Sequence, residues 1–289
     1  MLLVRPLFLI EEVMGMRVAI SSDNHVDSNQ VDVDEIVAQQ AEYLSIHNVD
    51  MYFIAGDVTN DFQKTVDYVE KLTALTTAEV RFIAGNHDML HNVTYTELES
   101  NLHPQYFHRQ QLRLPNWTII GNNGWYDYSF SQYYTQPASV ARWKKALWVD
   151  SPLQQPGSDR GRMDRVLAQI KQVLDQVQTP NVLVITHFVP HRQLLWPKPA
   201  LVKTVRHERI YEMVVAMMGS QRLGDLLASY PQVKDVIYGH IHGVHPPQVY
   251  DGITYLNPAV GVNKLRNQEW QWPNFMQQWQ HQLVVLDLA

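Results

Sequence analysis

YGHIHG, residues 238–243, closes the apolar run Val236-Ile237 and carries two histidines one residue apart, fenced by Gly239 and Gly243. In extended chain, residues i and i+2 point to the same face, so a strand ending here would aim His240 and His242 at one point. Neutral imidazole is the commonest metal ligand. A lone His-x-His has a second reading, a turn whose histidines are simply solvated, and short motifs often match by chance. The choice depends on whether other strand ends carry matching chemistry.

The chain supplies several such strands. Arg17–Ser22, Met51–Ala55 and Val80–Ala84 are short apolar runs closed by polar residues, the pattern of buried strands. Between them Val33, Ile36, Val37, Ala41 and Leu44, then Phe62, Val66, Val69 and Leu72, recur at helical spacing. This β-α-β-α-β alternation predicts an α/β fold with largely parallel pairing. Further along, Trp117–Ile120 reads as a strand. Met163, Val166, Leu167, Ile170, Val173, Leu174 and Val177 mark an amphipathic helix. Asn181–Thr186 is another buried strand, residues 205–229 read as helix broken near Gly219-Ser220, and Asp235–Tyr238 delivers the opening motif. Ile253–Leu256 and Gln282–Leu286 are further strands.

Each of five strands ends in something polar. The first runs into Ser22-Asp23-Asn24-His25, the second into Gly56-Asp57 and the third into Gly85-Asn86-His87-Asp88; Asn181–Thr186 runs into His187 and the last into Gly239-His240-Ile241-His242. Open α/β sheets bind ligands beyond the carboxyl ends of their strands, where residues distant in sequence converge. Two aspartates, one asparagine and four histidines, with His87 in addition, are too many ligands for one four-coordinate zinc. They suit two divalent metals sharing a carboxylate. Mixed oxygen and nitrogen ligation favours manganese, iron or zinc over calcium, and we take manganese as the first choice.

Composition narrows the setting. A chain of 289 residues with 45% hydrophobic content can bury a sizeable core. With 23 basic against 29 acidic residues the net charge is -6, which gives no general pull toward nucleic acid or anionic membrane. There are no cysteines, so disulfides and thiolate metal sites are excluded and a reducing, cytoplasmic setting is expected. The N-terminal run Leu7–Ile10 is too short for a membrane span, which needs about 20 apolar residues, and lacks a convincing cleavage site. We read residues 1–15 as an upstream extension before Met16, with a strand or interaction tail as the alternative. Residues 16–289 then form a single domain with inserted segments near 122–160 and 190–208.

Taken in order, Asp-x-His, Gly-Asp, Gly-Asn-His-Asp, His and Gly-His-x-His, running from Asp23 to His242, resemble the calcineurin-like metallophosphoesterase superfamily, of bacterial type. Asp251–Ala259 (DGITYLNPA) is similar to the strand and Asn that often follow Gly-His-x-His there. The resemblance implies two mixed β-sheets in a sandwich flanked by helices, an α/β/β/α layering. It implies that Asp23, His25 and His242 hold one metal, that Asn86, His187 and His240 hold the other, and that Asp57 bridges them. His87 would face a small phosphorylated substrate, with Asp88 orienting it. The implied activity is hydrolysis of a phosphomonoester or phosphodiester by attack of a metal-bound hydroxide, with His87 able to protonate the leaving alkoxide. Two departures stand out. Asn60 occupies a place after Gly-Asp where an acid or arginine often sits, and Ile83-Ala84, rather than Leu-Arg, precedes the third block, which argues against a Ser/Thr protein phosphatase.

A nuclease of the same superfamily is the alternative, disfavoured because there is no basic stripe. A non-catalytic protein-binding scaffold is disfavoured because no ligand position is eroded. Gly124-Trp125-Tyr126-Asp127-Tyr128 offers an aromatic wall, for which packing is the first reading and stacking on substrate the second. His191 is either a phosphate contact or a solvated loop histidine. Arg142, Lys144 and Lys145, with Lys203, Arg206 and Arg209, form small basic clusters that read first as solvated helix faces.

Overall fold

The structure is a computed structural model that describes residues 15–264 and 269–289. The expected extension at residues 1–15 therefore lies, Gly15 apart, outside the described residues. In chain order the elements are β1 (Met16–Ser21), α1 (Val33–Ile46), β2 (Met51–Ala55), α2 (Phe62–Leu75), β3 (Glu79–Ile83), α3 (Tyr95–Leu98), β4 (Gln110–Arg113) and β5 (Trp117–Gly121). Then follow α4 (Pro137–Leu147), α5 (Asp159–Leu174), β6 (Asn181–Ile185), α6 (Val205–Ala216), α7 (Gln221–Ala228) and β7 (Val233–Ile237). The chain closes with β8 (Gln248–Tyr250), β9 (Ile253–Leu256), α8 (Phe275–Gln282) and β10 (Val284–Leu288).

Two mixed sheets result. One has the order β10-β1-β2-β3, with β10 antiparallel to β1 and the rest parallel. The other has the order β4-β5-β6-β7-β9-β8, with a parallel centre and an antiparallel strand at each edge. Side-chain parity explains the layering. Val18, Ile20, Met51, Phe53 and Ile83 from the first sheet pack with Ile119, Leu183, Ile185 and Ile237 from the second in one apolar cluster between the sheets. The alternate residues Ala19, Tyr52, Ile54, Val80 and Phe82, and Val182, Val184 and Val236, belong instead to a second cluster shared with helix residues such as Leu44, Leu72, Ile170 and Leu227. Strands buried on both faces have no polar face to show, which is why they read as continuous apolar runs.

Helix starts follow local chemistry. The Asp32 carboxylate accepts from the Asp34 and Glu35 amides at the head of α1, and Asp61 does the same for Gln63 and Lys64 at α2. The break expected near Gly219-Ser220 is present between α6 and α7. Gly219 has no room for a side chain, since an added Cβ would lie 1.9 Å from the Val189 carbonyl oxygen.

Candidate metal centre

The carboxyl ends of β1, β2 and β3 in one sheet and of β6 and β7 in the other meet at one rim. Hydrogen bonds join neighbouring ends within each sheet, Asp23 N donating to Gly56 O at 2.9 Å, His25 N to Asp57 O at 3.0 Å and Gly239 N to His187 O at 2.9 Å, and between the sheets, where His240 N donates to Asp23 Oδ2 at 3.0 Å. The backbone then turns sharply. Asp23, His25, Asp57 and His240 all adopt left-handed φ, at 53°, 44°, 58° and 68°. Such a conformation costs a non-glycine residue of order 1–3 kcal/mol and persists only where surroundings enforce it; Asp and His tolerate it better than most. Gly85 permits a close approach, because a Cβ there would sit 2.1 Å from Asp57 Oδ1 and 2.6 Å from His187 Cε1.

These turns separate the two histidines of the opening motif. Both lie beyond the strand, since β7 ends at Ile237, and His240 is left-handed. His242 Nε2 lies 3.1 Å from Asp23 Oδ1 and 3.2 Å from His25 Nε2, whereas the His240 ring packs 5.2 Å from that of His187. The expectation that one strand end aims both at a single point is thus corrected: the left-handed turn at His240 sends them to adjacent places. Among the described residues, three sets gather potential ligand atoms that lie, within each set, no more than 4.8 Å apart: Asp23, His25 and His242; His25, Asp57 and His87; and Asp57, His187 and His240. Asn86 Oδ1 joins the last set, 3.2 Å from His187 Nε2. Asp57 connects the sets, its Oδ2 3.8 Å from His25 Nε2 and 3.3 Å from His187 Nε2.

Outward hydrogen bonds fix which atom faces inward. His187 Nδ1 donates to the Ala55 carbonyl at 2.9 Å, leaving Nε2 for the site. His242 Nδ1 pairs with Glu269 Oε2 at 2.8 Å. His240 is turned the other way, its Nε2 donating to the Met217 carbonyl at 3.2 Å, so Nδ1 faces inward. Asn86 Nδ2 donates to Asp150 Oδ1 at 2.8 Å. Each three-residue set has two buried members and one part-exposed one, so the site opens to solvent through His87, His240 and His242.

The electrostatics pair buried carboxylates with imidazoles. Burial pushes the His25 and His240 rings down to about 3. Burial works against charge at His187 and His242 too, but Asp57 outweighs it at His187 and lifts that ring to about 9; Asp23 and Glu269 lift His242 to about 10. Burial likewise opposes ionisation of Asp23, yet the His242 hydrogen bond holds it down to about 2, and His187 and His87 hold Asp57 well below the usual carboxylate range. Buried carboxylates and convergent ring nitrogens of this kind are places where protons and divalent cations compete. The donor set, oxygen and imidazole without thiolate, fits such ions.

His87 and Asp88 divide differently from expectation. Burial and Asp57 push the Asp88 carboxyl up to about 6. It accepts from the amides of Asp57, Val58, Thr59 and Gly85 and from Thr65 Oγ1, at 2.6 to 3.2 Å. Among the described residues its hydrogen bonds are to these groups and none is to the His87 ring, so Asp88 pins two strand-end loops together instead of orienting His87. Asn60 has the orienting contact: its Oδ1 lies 2.6 Å from His87 Nδ1, and its own Nδ2 donates to Asp27 Oδ2 at 2.8 Å. Sequence reasoning registered Asn60 only as a departure. Glu269 and Asp150 gave no signal, each being a single carboxylate outside the five blocks.

The aromatic run is packing. Trp125, Tyr126 and Tyr128 are buried, and Arg162 lies 3.5 Å over the Trp125 ring. His191 is stacked on Tyr250 at 5.0 Å and caps a short 3-10 helix, so it is not a solvated loop residue. Lys144 is taken up by Asp159 at 2.7 Å, while Arg142 and Lys145 are exposed. No helix among the described residues is long and apolar enough to cross a membrane.

A sandwich of two mixed sheets, with histidine, aspartate and asparagine side chains gathered at the strand ends, is the architecture of metal-dependent phosphatases. The calcineurin-like phosphoesterase family model matches residues 16–244, and the chain belongs to that family. Membership implies hydrolysis of phosphate esters with divalent metals. Among solved structures the chain is similar to phosphopantetheinyl hydrolase from Mycobacterium tuberculosis, with a TM-score of 0.64, 15% identity, and 94% of this chain and 96% of that one covered. A dimetal phosphatase from Danio rerio matches with a TM-score of 0.49 and 14% identity, covering 84% of this chain and 86% of that one. No curated protein matches the sequence.

Proposed function

We propose that the protein hydrolyses a small phosphomonoester or phosphodiester at two divalent metal ions, manganese being the first choice. Asp23, His25 and His242 hold one ion, Asn86, His187 and His240 the other, and Asp57 is shared. The observation that carries this reading is the position of the Asp57 carboxylate, which groups with His187 and His240 on one side and with His25, a member of the Asp23 and His242 set, on the other, its Oδ2 3.3 Å from His187 Nε2 and 3.8 Å from His25 Nε2. Bound there, divalent ions supply Lewis acidity toward phosphate oxygens and lower the pKa of water.

The chain's own groups do the rest. The His87 amide donates to Asp57 Oδ1 at 2.8 Å, which fixes the carboxylate. The His87 ring stands edge-on to His25 at 4.8 Å and is part-exposed, so it borders the opening where substrate enters. Asn60 accepts at its Nδ1, leaving Nε2 to donate a proton to the departing oxygen when the ring is charged. The absence of cysteine supports a reducing cytoplasmic setting.

The test is turnover of p-nitrophenyl phosphate and bis-p-nitrophenyl phosphate by metal-stripped protein with Mn²⁺ titrated back, alongside Asp57→Asn. Mn²⁺-dependent turnover that the variant lacks supports the reading, and the preferred ester assigns monoesterase or diesterase activity. A phosphopantetheinylated substrate belongs in the same panel, since the Mycobacterium tuberculosis neighbour is named for that group. Equal turnover by Asp57→Asn would sink the proposed site.

A further inference from the structure

We propose that Asp150, in the segment between α4 and α5 and outside every strand-end block, is the positioning residue that turns the amide oxygen of Asn86 into the metal site. The inference rests on the reading of Asn86 as a ligand. An asparagine side chain is nearly symmetric in shape, and only its partners decide whether oxygen or nitrogen faces a given side. A flip at Asn86 would present an NH₂ group, which cannot ligate a cation.

Asp150 prevents that flip. It is fully buried, although Val149 beside it is 41% exposed. Its two oxygens have separate duties. Oδ2 accepts from Tyr126 Oη at 2.8 Å and Trp148 Nε1 at 3.1 Å, which locks the carboxylate; Oδ1 accepts from Asn86 Nδ2 at 2.8 Å. With the nitrogen held there, Asn86 Oδ1 points to the opposite side, 3.2 Å from His187 Nε2. A carboxylate can only accept hydrogen bonds, so the orientation is set by charge and not by packing alone. The contact also makes the inserted segment part of the site, because Asp150 and both of its locking donors lie within residues 122–160.

Calorimetric titration with Mn²⁺, the visible spectrum of Co²⁺-loaded protein and the melting temperature of metal-stripped protein test this in Asp150→Ala, Tyr126→Phe and Asn86→Ala. Loss of an orienting partner typically weakens a metal site about 10- to 100-fold. Asp150→Ala should weaken one of the two ions by that factor, leave the other unchanged and alter the Co²⁺ spectrum. Tyr126→Phe, which removes one of the two locking donors, should weaken the same ion by a smaller factor. Wild-type binding of both ions by Asp150→Ala, while Asn86→Ala loses one, overturns the role of Asp150 alone. Unchanged binding in Asn86→Ala overturns the ligand reading and this inference with it. Equal weakening of both ions in Asp150→Ala would reduce the effect to packing.

If Asp150→Ala does not fold, exchanging donor and acceptor decides. Asn86→Asp combined with Asp150→Asn should bind two ions better than either single variant. A single Asn86→Asp variant that binds as well as the double overturns the proposal.

Discussion

Among the described residues Asn60 takes one ring nitrogen of His87 and no hydrogen bond takes the other, and that assignment makes its proposed role testable by leaving group. An alkoxide needs a proton to depart and p-nitrophenolate does not. His87→Asn should therefore slow hydrolysis of an alkyl phosphate by about 100- to 10,000-fold, the usual worth of a positioned acid, and slow the p-nitrophenyl ester far less. Equal losses on both esters would remove His87 from proton transfer. Asp88 answers to a different measurement. Asp88→Ala strands four buried amides and the Thr65 hydroxyl, each worth about 1–3 kcal/mol when unpaired. Partial relaxation would leave a net loss of about 4 kcal/mol, read by chemical denaturation; a loss under about 1 kcal/mol would contradict the pinning role.

At the scale of elements, the strand-end loops depend on the absence of a side chain at Gly85. Gly85→Ala should abolish Mn²⁺ binding, since the new methyl would fall on the Asp57 carboxylate and the His187 ring; retained two-ion stoichiometry would show that the loop can give way. A second element-scale test lies away from the metals. Glu99 closes α3 and reaches α5 through Gln169 Nε2 at 2.7 Å, with the His108 ring nitrogen 3.6 Å away. Burial opposes its ionisation, but those partners draw its pKa from 4.5 to about 2. A folded-state pKa below the unfolded one adds stability above about pH 4.5 that is lost as pH falls toward 2. The melting temperature of wild type should thus exceed that of Glu99→Gln at pH 7, and the gap should narrow steadily below about pH 4.5 and be nearly gone by about pH 2. A gap unchanged with pH would assign the difference to packing. The long strands and α1, α2 and α5 were legible because their apolar spacing is sustained. β4, β8 and α8 were not: β4 and β8 span 4 and 3 residues, too few to show a period. In α8, Phe275, Met276 and Trp279 are buried in a run of glutamines that lacks a sustained stripe.

For the whole molecule, the site joins the two sheets through residues of both. Ions that bind only the folded arrangement stabilise it by mass action. Chelation should lower the melting temperature, and Mn²⁺ at about 100 times its dissociation constant should add about 2.7 kcal/mol per independent site. A melting temperature indifferent to Mn²⁺ and to chelator would argue against ions bound at this junction.

The sequence by itself determined which chemistry the protein can hold. Parity and periodicity marked the buried strands, and polar residues immediately after them supplied Asp23, His25, Asp57, Asn86, His187, His240 and His242, because a strand's end is local and its composition can be read directly. The sequence also showed Asn60 without its purpose. Only the tertiary structure decided how these groups are aimed. The left-handed turns at Asp23, His25, Asp57 and His240 are enforced by contacts between strands far apart in sequence. The tautomers of His187, His240 and His242 depend on Ala55, Met217 and Glu269, and the face Asn86 presents depends on Asp150, 64 residues away. Orientation is a long-range property: a hydrogen bond needs a partner within about 3 Å, and no local pattern records which distant segment will bring one.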